Sequence, residues 1–362
     1  MDKFETKLLI EKSFFNQKEK TLLKNDKFVV NAFNYDSGVN AVKIINNKGY
    51  IIALPFKGQQ IWEAFFLGRN LTMKSNFVQP RNVRDFIHSY GAFIYHCGAS
   101  RVGCPSEKDS HSLHGELPYA DYDKAQIIIG ENENGRYVGI SGLFEYNVAF
   151  SYFYHFIPRV LLYENSSVLS VEVEIRNLSN YPMELMYMVH INFRLIDNGI
   201  IMQPCSWNSI DMNLRSDLSD DVQLSEEYDH IIDKLSKDLK LSKIIKPEDR
   251  YDPEVVFFLD NMNSDKNGIT YFIYVHPDGT ADYISFNINE LDHATRWVVK
   301  NRDQEALGLA LPATCDAEGY IKEKKKGNIK FIEPRSEFKT KYSIGALDSE
   351  EKNKIIKNFN FK

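Results

Sequence analysis

The sequence has few cysteines, no excess of basic residues and no long apolar run, and each absence excludes a class of protein. Neither a CxxC pair nor zinc-finger spacing occurs among the four cysteines, Cys97, Cys104, Cys205 and Cys315. The formal net charge is −6 and the pI is near 5.9, whereas nucleic acids and anionic membranes attract basic surfaces. We therefore expect neither a nucleic acid nor a membrane as the main partner.

Membrane-spanning and secretory segments are also missing. No stretch approaches the ~18 consecutive apolar residues that a membrane-spanning helix needs. The first residues, MDKFETKLLIEKSFF, lack the long apolar stretch of a signal peptide. These features predict a cytoplasmic protein with free thiols, although Cys97 and Cys104 could form a bridge in an oxidising compartment.

The sequence does contain enough apolar and aromatic residues for a large folded core. Of the 362 residues, 43% are hydrophobic and 26% are charged, which is a globular composition. There are 20 tyrosines, 24 phenylalanines and 3 tryptophans. Aromatic rings suit the packing of β-sheets, and they also stack on the C–H faces of sugar rings. Composition alone leaves both roles open.

Strand-like segments dominate the chain. Residues 168–176 (VLSVEVEIR) alternate apolar and polar side chains, as in a half-buried strand, and residues 182–193 return after a turn. Turns at 46–49 and 132–135 separate further pairs of short β-branched segments. Many short strands at intervals of ~8–12 residues are typical of stacked antiparallel sheets. The pattern predicts one all-β sandwich domain over residues 1–362.

Helical patterns are few. The best candidate is 226–245 (EEYDHIIDKLSKDLKLSKII), where apolar residues recur every three or four positions among charges, so we expect a small helical insertion on the surface. Short helices are also predicted within residues 5–24 and 83–89. Residues 322–326 (KEKKK) are expected to form a solvated basic turn.

Histidines provide the candidates for chemistry. His190 lies in a strand that is apolar on both faces, so it is either a core histidine bonded to the backbone or an acid or base facing a pocket. His111, His114 and Glu116 lie in the segment HSLHGE. They could hold a divalent metal as in cupins, although the H-x-x-H-x-E spacing differs from the H-x-H start of that family. The other interpretations are a solvated loop, or a sugar-binding loop in which Gly115 lets the backbone approach the ligand.

Two of these segments resemble motifs of the galactose mutarotase-like (aldose 1-epimerase) superfamily. Residues 113–115 (LHG) resemble its N-x-L-H-G-G loop, whose histidine contacts the sugar. His190 in VHINF resembles its N-H-x-Y-F strand, whose histidine is the general acid. The order and separation of the two histidines also fit, and residues 54–71 look like the first strands of the superfamily. The resemblance implies an antiparallel β-supersandwich with its cleft on one concave face.

Within the superfamily, the chain is most similar to a bacterial branch of uncharacterised aldose 1-epimerase-like proteins of the DUF4432 type. The pattern of that branch is C-G-x-x-x-V-G-x-P, then L-H-G, H-x-N-F, a Trp strand, P-A-T-C and G-x-L. The matching segments here are 97–105, 113–115, 190–193, 295–297, 312–315 and 345–347. The resemblance therefore extends over most of the chain, roughly residues 42–347.

The resemblance implies roles for individual residues. His190 would be the general acid, and His114 would be the second catalytic residue and would position sugar hydroxyls together with Arg101. Trp297 would stack on the sugar or form a wall of its pocket. The remaining substrate-binding candidates are Asn192 and Glu116. We expect a small carbohydrate as the partner and neither a metal nor a cofactor, because acid–base exchange of anomers needs none.

One position departs from the family pattern. True mutarotases carry the general base in a strand of the form G-x-x-L-E-T-Q, and the matching segment GLALPAT has Pro312 in place of the glutamate. Proline cannot transfer a proton through its side chain, so any base must come from elsewhere. Glu116 and Glu145 are candidate replacements. Glu305 and Asp316 flank this strand but are expected to lie beyond hydrogen-bond reach.

Three functional hypotheses follow. The first is an isomerase that interconverts the anomers of a free sugar or sugar acid by acid–base catalysis. The second is a carbohydrate-binding protein that has kept the cleft and lost the base. The third is a metal-dependent, cupin-like sugar isomerase. The retained histidine pair favours the first and the missing glutamate favours the second, while the identity of the sugar and the oligomeric state are not encoded in any visible motif.

Overall fold

The computed structural model describes residues 3–215 and 226–362, and β-strands dominate this part of the chain. Strands account for 47% of the residues and helices for 11%. This helical share is well below the third that is usual for a globular domain. The predicted all-β class is confirmed.

The strands of the described residues, in chain order, are β1 (Phe4–Ile10), β2 (Lys20–Lys24), β3 (Val29–Asn34), β4 (Asn40–Ile45), β5 (Gly49–Ala53), β6 (Ile61–Phe66), β7 (Arg69–Asn70), β8 (Ile94–Cys97), β9 (Lys124–Asn132), β10 (Gly135–Val148), β11 (Tyr152–Tyr163), β12 (Val168–Asn177), β13 (Met183–Leu185), β14 (Met188–Ile191), β15 (Gly199–Met202), β16 (Met212–Leu214), β17 (Ile244–Ile245), β18 (Tyr251–Leu259), β19 (Ile269–Val275), β20 (Ala281–Asn287), β21 (His293–Lys300), β22 (Glu305–Ala313), β23 (Lys330–Ile332) and β24 (Glu337–Leu347). The α-helices are α1 (Glu226–Lys237), α2 (Tyr320–Lys326) and α3 (Ser349–Asn358), and single 3-10 turns cover Lys12–Phe14, Ile87–Ser89 and Leu239–Lys243.

Two large sheets contain most of these strands. The ten-stranded sheet has the order β1-β9-β10-β11-β12-β24-β20-β19-β15-β17. The twelve-stranded sheet has the order β16-β18-β21-β22-β14-β8-β6-β5-β4-β3-β2, with β7 beside β6, and β13 pairs separately with β23. Neighbouring strands run antiparallel, as predicted. The predicted hairpin turns at 46–49 and 132–135 join β4 to β5 and β9 to β10.

The core lies between the inner faces of the two large sheets. On β12, Val171 and Val173 are buried, whereas the alternating Glu172 and Glu174 remain partly exposed. One continuous apolar cluster contains these two valines and Val189 of β14 in the other sheet. Full burial of a side chain of this size stabilises the fold by roughly 1.5–3 kcal/mol. The alternation that predicts the strand thus also selects the face that joins the sheets.

The short helix predicted within residues 5–24 is limited to the 3-10 turn Lys12–Phe14, and two strands occupy most of the segment. Phe4–Ile10 is an edge strand that pairs with β9, and Lys20–Lys24 pairs with β3. Ile10 is the one fully buried side chain of the edge strand, and most of the others are exposed. An edge strand that faces solvent on both sides has little reason to alternate, and the mixed periodicity follows from this exposure.

The basic turn predicted at 322–326 is wrong, because these residues belong to the helix α2. Gly327 ends this helix with a left-handed φ of 82°, and its N–H donates to the carbonyl of Glu323. A glycine at this position is a common helix stop. Lysines in the last turn are favourable beside the negative end of the helix dipole. The lysine run is therefore the end of a helix.

The two other helical predictions fall on short elements. In the segment 83–89 only Ile87–Ser89 is helical, as one 3-10 turn. In the segment 226–245, α1 covers Glu226–Lys237 and a 3-10 turn covers Leu239–Lys243. None of the helices in the described residues is long and apolar enough to cross a membrane. All four cysteines are free thiols, so Cys97 and Cys104 are not bridged.

Candidate active site

Two histidines, His114 and His190, lie against each other on the twelve-stranded sheet. Their ring centroids are 5.2 Å apart and the ring planes meet at 73°. Both side chains are buried, and Nδ1 of each ring has no hydrogen-bond partner among the described residues. Buried nitrogens without partners are uncommon because they cost free energy. The pair is therefore suited to hydrogen-bond a polar ligand group.

Strand β14 and the residue that follows it hold His190 in place. His190 lies opposite Tyr95 of β8, and Asn192 follows directly after the strand. The amide of Asn192 donates to the carbonyl of Ala92 at 2.8 Å and accepts the hydroxyl of Tyr90 at 3.0 Å. The Asn192 side chain also acts on the pKa of His190, raising it against the larger lowering by burial. The structure thus places the predicted substrate-binding Asn192 as a support for the histidine.

A tight backbone arrangement holds His114. This residue and Gly115 have left-handed φ angles of 60° and 82°, a conformation that costs a non-glycine residue roughly 1–2 kcal/mol. The N–H of His114 donates to the carbonyl of Gly103, and the N–H of Gly98 donates to the carbonyl of His114, both at 3.0 Å. A Cβ at Gly115 would overlap the carbonyl oxygen of Arg101. The glycine of the LHG motif is therefore required for packing against the protein's own backbone.

Trp297 and two charged residues form a further wall of the site. The ring centroid of Trp297 lies 5.4 Å from that of His190. The indole N–H donates to the carboxylate of Glu254 at 2.5 Å, and Arg215 forms an ion pair with the other oxygen of that carboxylate. Val256 of β18 pairs with Trp297 of β21. Positions 254 and 256 share a face of the strand, so the carboxylate and the indole lie on the same side of the sheet.

Trp297 reaches His190 across β22, where Gly308 leaves the necessary room. Gly308 is the residue opposite Trp297. A Cβ at Gly308 would lie 3.3 Å from Cβ of Trp297 and 3.0 Å from a methyl group of Leu311. Because Gly308 has no side chain, the indole can lean over β22 toward β14.

Burial controls the protonation of both histidines. It lowers the pKa of His190 to about 4. Burial also lowers the pKa of His114 well below its usual value, and the positive charges of protonated His190 and of Arg215 act in the same direction. At neutral pH both rings of the free protein are therefore neutral, each with one N–H donor and one acceptor nitrogen.

Sequence patterns do not identify four residues of this site. They are Phe86, Tyr90, Arg215 and Glu254. The ring centroid of Tyr90 lies 5.8 Å from those of both His190 and Trp297. The one available signal was a charged residue, Glu254, at the start of the otherwise apolar run VVFFL. No motif accompanies it, so only the fold brings its carboxylate to the indole of Trp297.

The structure places Arg101 and Glu116 outside this group. Arg101 forms an ion pair with Glu184 at 3.0 Å, and its guanidinium lies 3.6 Å from the ring centroid of Tyr320. One carboxylate oxygen of Glu116 accepts the N–H of Ser100 at 2.8 Å and also accepts the hydroxyl of Tyr154. Burial raises the pKa of the Glu116 carboxyl. Both side chains thus brace the loops around the histidine pair.

The other acids that were considered as replacement bases are engaged elsewhere. Glu145 binds His155 at 3.0 Å on the outer face of the hairpin β10–β11. Pro312 is buried in β22 opposite Ala294. The two acids that flank β22 form ion pairs with lysines, Glu305 with Lys74 and Asp316 with Lys326. Glu254 is linked to the histidine pair through Trp297, whose indole binds its carboxylate and whose ring lies against His190.

The three ligands of the cupin-like alternative do not converge. Nδ1 of His111 lies 2.8 Å from the carbonyl of Ser112. Among the described residues, the group whose potential ligand atoms lie within 4.8 Å of one another is a different one, Asp316, Glu318 and Glu323. Lys326 forms ion pairs with all three of these carboxylates. Lys326 thus occupies the place of a cation beside these acids, and among the described residues His111, His114 and Glu116 do not form the cluster that a cupin-like centre would need.

An open cleft adjoins the histidine pair. Its volume is about 440 Å³, and Phe86 forms the wall that it shares with the histidines. The ring centroid of Phe86 lies 4.8 Å from that of His114 and 6.1 Å from that of His190. The other aromatic rings that line the cleft are those of Tyr119, Phe144 and Tyr146.

Comparison with known families and structures agrees with this architecture. Residues 36–202 match the family described as "Domain of unknown function (DUF4432)". None of the curated proteins matches the chain.

Solved structures give the fold. A protein of Klebsiella pneumoniae subsp. pneumoniae, described provisionally as an aldose 1-epimerase, is 16% identical and superposes with a TM-score of 0.82 over 98% of this chain and 96% of its own. Galactose mutarotase-like proteins of Clostridium acetobutylicum and Lactobacillus casei are both 11% identical. Their TM-scores are 0.56 and 0.52, with 90% and 84% of this chain and 100% and 99% of theirs covered. The chain therefore has the galactose mutarotase-like fold, and the match of residues 36–202 to the DUF4432 model agrees with the resemblance that the sequence motifs predict.

Proposed function

We propose that this protein interconverts the anomers of a sugar by general acid and base catalysis. The observation that carries the proposal is the buried contact of His114 with His190, beside the indole of Trp297, which in turn donates to the carboxylate of Glu254. Both rings offer a nitrogen without a protein partner among the described residues. The fold and the described relative are consistent with this activity.

The reaction needs one proton delivered and one removed. His190 is neutral in the free protein, so in this proposal it takes up a proton from solvent as the sugar binds. It then gives that proton to the ring oxygen of the sugar while a base removes the proton of the anomeric hydroxyl. The bond between the anomeric carbon and the ring oxygen breaks, and a carbonyl forms at that carbon. The bond to the neighbouring carbon turns, and reclosure on the other face returns both protons. His114 hydrogen-bonds the sugar and holds it against His190.

Glu254 is the base in this proposal, in place of the glutamate that Pro312 replaces. Its carboxylate accepts the indole N–H of Trp297 and pairs with Arg215. These contacts fix the direction of the carboxylate, and a positioned base or acid contributes about 10²–10⁴-fold to a rate. Trp297 has the further role of an apolar wall against which a sugar face stacks.

The experiment follows freshly dissolved pure anomers by NMR, with and without protein. His190→Gln and Glu254→Gln are each expected to slow catalysed exchange by at least about 100-fold. Glu174→Gln, on the outer face of β12, is the matched control and keeps the wild-type rate. If Glu145→Gln abolishes exchange and Glu254→Gln does not, the base is assigned wrongly.

A carbohydrate-binding role without catalysis remains the competing function, because the family glutamate is absent. It is distinguished by the same experiment. Wild-type protein that accelerates exchange of no sugar, yet binds one by calorimetry, would be a binding protein.

A further inference from the structure

The cleft beside the histidine pair is large enough to hold a small molecule of its own. Its volume of about 440 Å³ lies within the range of small-molecule sites in proteins. The histidine pair is not among the residues that line it. The proposed chemistry takes place at His114 and His190, so it leaves this space unused.

Phe86 lies between the histidine pair and the cleft. The ring of Phe86 packs against the histidine pair on one side. Its centroid lies 4.8 Å from that of His114 and 6.1 Å from that of His190. The cleft lies along another part of the same side chain. Leu113 and Gly115, the neighbours of His114 in the chain, also line the cleft. A ligand that reaches from the histidines into the cleft must therefore pass the ring of Phe86.

The walls of the cleft combine aromatic rings with polar groups at the rim. Tyr146 and Phe144 project from the inner face of β10, with ring centroids 6.0 Å apart. Arg84 and Asp121 form an exposed ion pair at the edge. Aromatic faces receive the C–H surface of a sugar ring, and charged side chains at a rim hydrogen-bond hydroxyls. A lipid chain or an apolar peptide would leave the polar rim unused.

We propose that this cleft is a second carbohydrate subsite, so that the substrate is a reducing disaccharide or longer oligosaccharide. The reducing ring lies at His114 and His190, and the next ring stacks on Tyr146 and Phe144. This inference rests on the proposed function for the position of the reducing ring. It adds the class of substrate, which the histidine pair alone does not specify.

The test compares reducing disaccharides with their own monosaccharides. Anomer exchange of cellobiose, maltose and lactose is measured beside that of glucose and galactose. We expect kcat/KM for at least one disaccharide to exceed that of its monosaccharide by roughly tenfold, which is the effect of one added aromatic stacking contact. Tyr146→Ala should remove this preference and leave exchange of the monosaccharide unchanged.

Phe153→Ala is the matched control. Phe153 lies on β11 opposite Asn147, whereas Tyr146 lies opposite Tyr154. Side chains alternate between the faces of a strand, so Phe153 is an aromatic ring of the same hairpin on the outer face. Its removal should change neither kcat/KM. Thermal unfolding of both variants shows whether each one is folded.

A second measurement separates the cleft from the catalysis. The methyl glycoside of the preferred disaccharide cannot change its anomer, and its binding is measured by calorimetry. Weaker binding to Tyr146→Ala than to wild type supports the cleft, whether or not exchange is catalysed. Equal kcat/KM for monosaccharides and disaccharides, together with unchanged binding in Tyr146→Ala, overturns the cleft and leaves the proposed function standing. If the wild type exchanges no sugar but binds the disaccharide through Tyr146, the proposed function fails and the cleft stands.

Discussion

Burial of His190 should make the folded protein lose stability in mild acid, and the structure gives the size of the loss. His190 is 4% exposed, and burial lowers its pKa from 6.5 to about 4. Between these two values the unfolded chain binds a proton at this residue and the folded protein does not. The contribution of His190 to the free energy of unfolding is therefore fully present above pH 6.5 and is lost as the pH falls toward 4.

The magnitude follows from the two pKa values. A difference of 2.5 units, from 6.5 to about 4, corresponds at most to about 3 kcal/mol, at about 1.4 kcal/mol per unit. At pH 5 roughly 2 kcal/mol of this is already lost relative to neutral pH. Replacement of His190 by glutamine removes the titrating group and retains a polar side chain. The variant should therefore lose about 2 kcal/mol less than the wild type between pH 7.5 and pH 5.

Urea unfolding at the two pH values measures this difference. The midpoint and slope of each transition give the free energy of unfolding for wild type and His190→Gln. His230→Gln, an exposed histidine of α1, is the control and should follow the wild type. The other buried histidines titrate in all three proteins. Because folded His190 is mostly neutral at pH 5, its charge barely changes the pKa of His114 there, and the contributions of these histidines nearly cancel. An equal loss of stability in the wild type and in His190→Gln would refute the burial argument for His190.

Three further predictions concern individual residues. Gly98→Ala should destabilise the protein by at least about 2 kcal/mol, because Gly98 has a φ of 105° and a Cβ there would overlap a neighbouring carbonyl oxygen. The variant should also lose anomer exchange, since the N–H of Gly98 donates to the carbonyl of His114; a urea midpoint equal to that of the wild type would contradict the predicted destabilisation. Cys104 is the exposed thiol, so a thiol reagent should modify one cysteine in the native protein and all four after unfolding. The native reaction should be faster at pH 9 than at pH 7 because the thiolate is the nucleophile; modification of several native thiols would be inconsistent. Asp282→Asn should cost about 3–5 kcal/mol, because Asp282 is fully buried against Arg69 at 2.5 Å; a change below 1 kcal/mol in urea unfolding would show that the pair contributes little.

The fold was largely readable from the sequence because its signals are local. The alternation of Val168–Asn177 and the turn at 132–135 each depend on a few neighbouring residues, and both lead to the observed strands and hairpin. The failures are local in the same sense. The edge strand Phe4–Ile10 faces solvent and so carries no alternation. The lysines of α2 suggest a solvated turn until Gly327 is recognised as a helix stop.

Only some residues of the candidate site could be predicted from the sequence, because the others come from distant segments that carry no motif. His114 and His190 sit in short motifs, and the structure places them in contact. Glu254 has no motif, and it reaches the site only because β18 and β21 are neighbours in the sheet. Arg101 shows the opposite case, since it stands in a motif while its side chain stacks on Tyr320. Motif spacing identifies which residues are near in the chain, and side-chain direction depends on partners that are distant in it.

The strand order around β14 has a consequence for how the protein folds. His190 is flanked by β8 on one side and by β22 on the other, so one neighbour precedes it by about a hundred residues and the other follows it by more than a hundred. Pairings over such distances require long loops to close before any contact is gained, which slows folding. During synthesis the two histidines emerge long before Trp297 and Glu254. The candidate site can therefore be complete only after β18, β21 and β22 have been synthesised and have joined the sheet beside β14.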